Sequence, residues 1–211
     1  MNIEILYEDK HIIVAVKPAG ILSQEDNTKD LDMLSLLKEH IRVNEEKTGN
    51  VFLGLVHRLD RMTSGIMVFA KRSKAASRLF EQINNGTFKK SYQILVEGLI
   101  KKDGHLENYL VKNEKEVKSY VTNKDLGKIA ILDYYVIKHL NNNTLLNVNL
   151  KTGRHHQIRV QFSHLGHPIV GDSLYGSKTK TNLKLHAYRL EFLHPMTNEV
   201  MIFEKNASFI N

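Results

Sequence analysis

His57-Arg58-Leu59-Asp60-Arg61-Met62-Thr63-Ser64-Gly65 runs directly into Ile66-Met67-Val68-Phe69-Ala70. The first part is polar, with a carboxylate between two arginines, then two hydroxyl side chains and a glycine. The second part is a short apolar run of strand length. Together they read as a loop entering a strand. Neighbouring cations favour the ionised form of an aspartate. Such a carboxylate can be a nucleophile, a base, or one half of a salt bridge. Residue types in this stretch alone leave these open, with the salt bridge the plainest.

The flanking sequence supplies strands and a few helices. Upstream, Ile3–Tyr7 and Ile12–Val16 read as strands around Glu8-Asp9-Lys10, and Lys17-Pro18-Ala19-Gly20 ends the second. Leu34, Leu37 and Ile41 recur at helical spacing after Asp30, a candidate cap. Downstream of Ala70 a helix is expected from Ser73, burying Ala75, Ala76, Leu79, Phe80 and Ile83 and stopping at Asn84-Asn85-Gly86. Strands follow at 92–96, 117–121, 129–137 and 144–150. Ile158, Phe162 and Leu165 then mark a helix that stops at Gly166, and strands at 185–192 and 200–203 close the chain. Many strands with irregularly inserted helices point to an α+β fold with a largely antiparallel sheet. Without repeats or a Pro/Gly/Ser-rich linker, residues 1–211 are expected to form one domain.

Composition narrows the chemistry. The 211 residues contain no cysteine, which excludes disulfides, thiol nucleophiles and thiolate metal sites. The net charge of +7 favours a polyanionic partner, because cations near phosphates release condensed counterions. No apolar run approaches the length of a membrane-spanning helix, and the N-terminus lacks signal-peptide features. A cytoplasmic monomer is the default expectation.

Two further segments carry candidate chemistry. Lys89-Lys90-Ser91-Tyr92 places cations beside an aromatic ring, a combination suited to phosphates and an unpaired base. Tyr92 can equally be an ordinary core residue of its strand. Lys151-Thr152-Gly153-Arg154-His155-His156-Gln157-Ile158-Arg159 turns from a strand into a helix with cations at its N-terminus, where an anion is favoured. A solvated basic helix start fits the same residues. His155, His156, His164 and His167 cluster in sequence, but no cysteine or nearby carboxylate completes a zinc set, so no metal is expected. Neither a Gly-x-Ser-x-Gly elbow nor a Gly-rich phosphate loop occurs.

In order along the chain, these segments resemble the RluA family of pseudouridine synthases. His57-Arg58-Leu59-Asp60 with Thr63-Ser64-Gly65 and Ala70-Lys71 is similar to that family's catalytic signature. Lys90-Ser91-Tyr92 with Val96 and Gly98 resembles its tyrosine motif. Thr152-Gly153-Arg154 with His156-Gln157-Ile158-Arg159 resembles its arginine motif, extended by His164 to Pro168, Gly171-Asp172 and Leu174-Tyr175-Gly176. Matches at both ends, from Ile5 through Gly20 and at Leu185-His186-Ala187 and His194-Pro195, carry the resemblance over nearly the whole chain.

The resemblance implies a pseudouridine synthase fold, α+β with a mixed, largely antiparallel sheet and helices around a central RNA-binding cleft. It implies isomerisation of uridine in ribosomal or transfer RNA without a cofactor. Asp60 would be the catalytic carboxylate, Tyr92 would stack on the target uracil and assist proton removal, and Arg154 would pair with Asp60. Arg58 would enter the RNA where the nucleotide has flipped out, and Ile158 would wall the base. Ile94 stands where a small residue is common, which bears on packing under Tyr92. The pattern starts at residue 3, so the N-terminal RNA-binding module of many relatives is expected to be missing. A non-catalytic RNA-binding or ribosome-assembly protein on the same fold is the alternative.

Overall fold

The first hairpin closes on Asp9, whose Oδ1 accepts the backbone N–H groups of His11 and Ile12, both at 2.7 Å. It joins β1 (Glu4–Glu8) to β2 (Ile12–Lys17) in antiparallel register. The computed structural model describes residues 3–46 and 48–210. The chain divides into two compact units, residues 1–89 with 187–205 and residues 90–186 with 206–211.

In the first unit, β2 pairs with β4 (Ser64–Ala70) from Ile12 opposite Ala70 to Lys17 opposite Gly65. A short β3 (Gly54–Leu55) also pairs with β4. The last 5 residues of strand in this unit, β11 (Val200–Glu204), pair with β10 (Leu185–Leu193), which neighbours β4. Ile66 to Ala70 are all buried, so the unbroken apolar run marks a strand covered on both faces. One face carries Ile12, Val14, Ile66 and Val68 against Ala75, Ala76 and Leu79 of helix α2 (Ser73–Asn84), with Phe88 stacked on Phe192 at 5.4 Å.

Two helix details differ from expectation. Asp32, not Asp30, caps α1 (Met33–Asn44), its carboxylate accepting Ser35 N–H at 3.0 Å. The helix can begin only after Leu22 O has accepted Met33 N–H, which fixes Asp32 in the capping position. Asp30 is instead paired with Arg61 at 2.8 Å. On α2, Phe80 is exposed and Gln82 is buried. The Gln82 amide is taken into the core because it both donates to Leu193 O and accepts Leu193 N–H at 2.8 Å.

The second unit has the strand order β5 (Lys89–Glu97), β9 (Asn143–Leu150), β8 (Lys128–Leu140), β6 (Gly104–Asn113), β7 (Lys118–Thr122), with antiparallel neighbours. Lys89 of β5 belongs to the first unit. Helix α3 (Gln157–His164) stops at Gly166, which has φ +88°, and Leu165 is exposed rather than part of the buried face. Strand β6 has no counterpart in the hydropathy pattern. Its inward series Leu106, Asn108, Leu110 is broken by Asn108, whose side chain accepts from Gln161 of α3 at 2.9 Å. The strand exists through its ladder with β8, a long-range pairing.

The elements and their antiparallel pairing make this an α+β fold, as expected. Among the described residues no helix is long and apolar enough to cross a membrane.

Gly65 fixes where β4 begins. At φ +131°, a Cβ built there would lie 2.4 Å from the backbone oxygen of Ala187 and 2.5 Å from its nitrogen. Gly65→Ala is therefore expected to destabilise the protein by at least about 3 kcal/mol, from backbone strain and overpacking together. Urea unfolding measures it, and a loss under 1 kcal/mol (roughly the cost of a tolerated core change) would contradict the close approach.

Candidate active site

Asp60 sits in a loop that is tied down from several directions. Its own carbonyl accepts Thr63 N–H at 3.0 Å, closing a four-residue turn. Before it, Leu59 is buried and exchanges two hydrogen bonds with Ser23. Leu59 N–H donates to Oγ at 3.1 Å, and Oγ–H donates to Leu59 O at 2.7 Å. His57 is buried too, and its Nε2 accepts Val68 N–H at 3.1 Å, which places the ring proton on Nδ1. Burial thus alternates through the motif. His57 and Leu59 face inward, Arg58 is exposed, and Asp60 is half-buried.

Lys17 anchors the loop from below. Its side chain has no solvent exposure, and its ammonium donates to Pro18 O (3.0 Å), Ile21 O (2.6 Å) and Arg61 O (3.0 Å). Three donors meet three acceptors, so the group is fully satisfied. Burial pushes its pKa down to about 8, while the nearby Asp60 carboxylate pulls it up and Arg61 pushes it down. In the sequence Lys17 reads only as the end of a strand. The available signal was a lysine closing the apolar run Ile12–Val16.

The two arginines flanking Asp60 differ. Arg61 is committed to protein, donating through Nε to Gly20 O at 3.1 Å and pairing with Asp30. Arg58 stands exposed.

Tyr92, Arg154 and Ile158 belong to the second unit. Tyr92 is buried in β5, opposite Val148 of β9, with Ile94 fully buried two residues on. Arg154 lies in the turn between β9 and α3, and that turn is stitched to β8. Gln157 Oε1 accepts from Arg154 N–H at 3.0 Å and from the Thr152 hydroxyl at 2.8 Å. Gln157 Nε2 donates to Ile131 O at 3.1 Å, and Thr152 Oγ1 accepts Ile131 N–H at 2.8 Å. The Arg154 guanidinium donates through Nε to Ile129 O at 2.8 Å.

Ile158 is buried one turn into α3. The helix is clamped by Arg159, which makes a two-pronged buried pair with Asp172 at 2.7 and 2.8 Å and lies 5.1 Å from the centre of the Tyr175 ring. The neighbouring histidines take part in the same packing. His155 stacks on His156 at 3.8 Å, Ser119 meets His155 Nδ1, and the Tyr175 hydroxyl meets His156 Nδ1. Among the described residues, no three or more His, Asp or Glu side chains gather as a metal site.

Residues 11–164 match the family model described as RNA pseudouridylate synthase. The chain belongs to that family. An RNA pseudouridine synthase of Aquifex aeolicus, uncharacterised by name, is 37% identical over 96% of this chain and 68% of its own length. The ribosomal large subunit pseudouridine synthase D of Pseudomonas aeruginosa is 33% identical over 97% of this chain and 68% of its own length. Among solved structures, human RNA pseudouridylate synthase domain containing 4 superposes with a TM-score of 0.81 at 22% identity, covering 98% of this chain and 89% of that one. The resemblance of its motifs to the RluA family is thereby borne out, and so is the pseudouridine synthase fold. By class the synthase is an RNA-modifying isomerase.

Lys17→Met in this synthase would orphan three backbone carbonyls and is expected to destabilise it by roughly 2–4 kcal/mol. Burial lowers the Lys17 pKa in the folded chain to about 8, from the ordinary lysine value of 10.5. Between those values the unfolded chain binds the extra proton, so the contribution of this group to stability rises with pH. The deficit of Lys17→Met relative to wild type should therefore widen from about pH 8 to about pH 10.5. Urea titrations across that range measure the deficit, and one that stays flat or narrows contradicts the assignment.

Proposed function

We propose that this synthase isomerises specific uridines in structured RNA, ribosomal RNA ahead of transfer RNA, through Asp60 and without a cofactor. The observation that carries the reading is the immobilised, half-buried Asp60 loop within a chain of this family. The preference for ribosomal RNA draws on relatives named as ribosomal large subunit pseudouridine synthases.

The reaction breaks the N1–C1′ bond, turns the uracil, forms a C5–C1′ bond and releases the C5 proton, while the freed N1 takes up a proton. Atoms and electrons balance within the nucleotide, so the chemistry requires no redox or group-transfer partner. A paired uridine must first leave its stack, at a cost of a few kcal/mol. In this reading Arg58, exposed beside Asp60, occupies the gap in the RNA, while Tyr92 stacks on the extruded uracil and Ile158 walls it. Arg154 pairs with Asp60 and holds it ionised and aimed. Residues 1–211 act together as one catalytic domain on RNA, as a cytoplasmic monomer.

Release of tritium from RNA labelled at uracil C5 tests the assignment. Asp60→Asn is expected to slow release by about three orders of magnitude or more while RNA binding persists. Release at the wild-type rate would remove Asp60 from the mechanism. Tyr92→Phe keeps the stacking ring and is expected to slow turnover about 10²-fold through lost proton transfer. Unchanged turnover would confine Tyr92 to stacking. Pseudouridine mapping of total RNA from cells with and without the gene identifies the target nucleotide.

A further inference from the structure

Among the described residues two lysines are buried, and both are accounted for. Lys17 has its three carbonyls. Lys71 lies between the carboxylates of Glu8 and Glu45, each at 2.6 Å. Lys90 differs from both, half-buried at the start of β5. Among the described residues its ammonium has neither a hydrogen-bond nor an ion-pair partner. Burial pushes its pKa below the ordinary lysine value, and no carboxylate offsets that. Its neighbour Lys89 is different again, exposed and paired with Glu191 at 2.5 Å.

The position of Lys90 is specific. It precedes Tyr92 by two residues on one strand, so both side chains leave the same face of β5. It pairs across the ladder with Leu150, the last residue of β9 before the Arg154 turn. A Cβ built on Gly153 would meet one neighbour within 4 Å, Lys90 Nζ at 3.4 Å. Gly153 itself is exposed. The ammonium therefore lies against the exposed backbone of Gly153, one residue before Arg154.

Partly withdrawing a cation from water without a counter-ion costs free energy, which a bound anion returns. We propose that Lys90 binds a backbone phosphate of the substrate RNA next to the nucleotide being modified, reaching it over Gly153. This rests on the RNA-modifying reading of the same site. It makes Lys90 a substrate-positioning residue, and leaves Lys89 as an exposed surface ion pair.

The test uses the full chain and an in vitro transcript of large-subunit ribosomal RNA. Lys90→Met should weaken binding several-fold, and the slope of log affinity against log salt should fall by about 0.7 to 0.9, the value of one phosphate contact. KM should rise while kcat at saturating RNA stays within about twofold, the signature of lost uniform binding. Lys90→Arg should restore the slope. Thermal melting of Lys90→Met should match or exceed wild type, since an uncompensated charge has been removed.

An unchanged salt slope, a fall in kcat with unchanged affinity, or a melting temperature lowered by several degrees would each overturn the proposal. Failure of the enzymatic reading looks different. There the wild-type protein releases no tritium from any RNA, whatever the salt slope of Lys90→Met.

Discussion

A lysine ammonium taken wholly out of water must find oxygens for all three of its protons, and Lys17 finds them at Pro18, Ile21 and Arg61. Two of those oxygens belong to the turn after β2 and the third to the residue after Asp60. The ammonium therefore joins two segments far apart in sequence, and neither can shift without leaving a buried charge unsatisfied. The Ser23–Leu59 exchange repeats the connection one step away, and the Gly65–Ala187 contact sets the end of the loop. The Asp60 carboxylate is held by its backbone, and its side chain keeps partial access to solvent.

The second unit solves a similar problem with neutral amides. The Arg154 turn carries a glycine and several cations, a composition with no preference for one conformation. Gln157 and Thr152 supply it, satisfying both the turn and the edge of β8 with four side-chain hydrogen bonds. The buried Arg159–Asp172 pair then fixes α3 against the Tyr175 turn. Fully paired, such an ion pair adds specificity of position more than stability. Of the histidines that invite a metal reading, His155 and His156 are used in this packing.

Much of the fold was legible in the sequence because most elements obey a local rule. The hairpin at Asp9, the apolar run of β4 and the stops at Gly86 and Gly166 follow from hydropathy period and turn residues. Three departures share one physical cause. Asp30 reads as the α1 cap, Phe80 reads as core, and β6 has no hydropathy signal. In each a long-range partner overrides the local signal: Arg61 takes Asp30, Leu193 draws Gln82 inward, and β8 with Gln161 makes a strand of a polar segment. Leu165, which also reads as core, is exposed at the C-terminal end of α3.

The sequence by itself determined the family and the α+β class, because ordered motifs spread over nearly the whole chain are residue-by-residue information. It also singled out Asp60, Arg58, Tyr92, Arg154 and Ile158 as the residues to examine. It left open which charges are neutralised within the protein, since adjacency in sequence does not decide pairing. Only the tertiary structure paired Arg61 with Asp30, buried Lys17 on the carbonyls of Pro18, Ile21 and Arg61, and separated Lys89, with its carboxylate, from Lys90, without one. The reason is electrostatic. The worth of a charge depends on burial and on partners brought together by the fold, and neither is written in the order of residues.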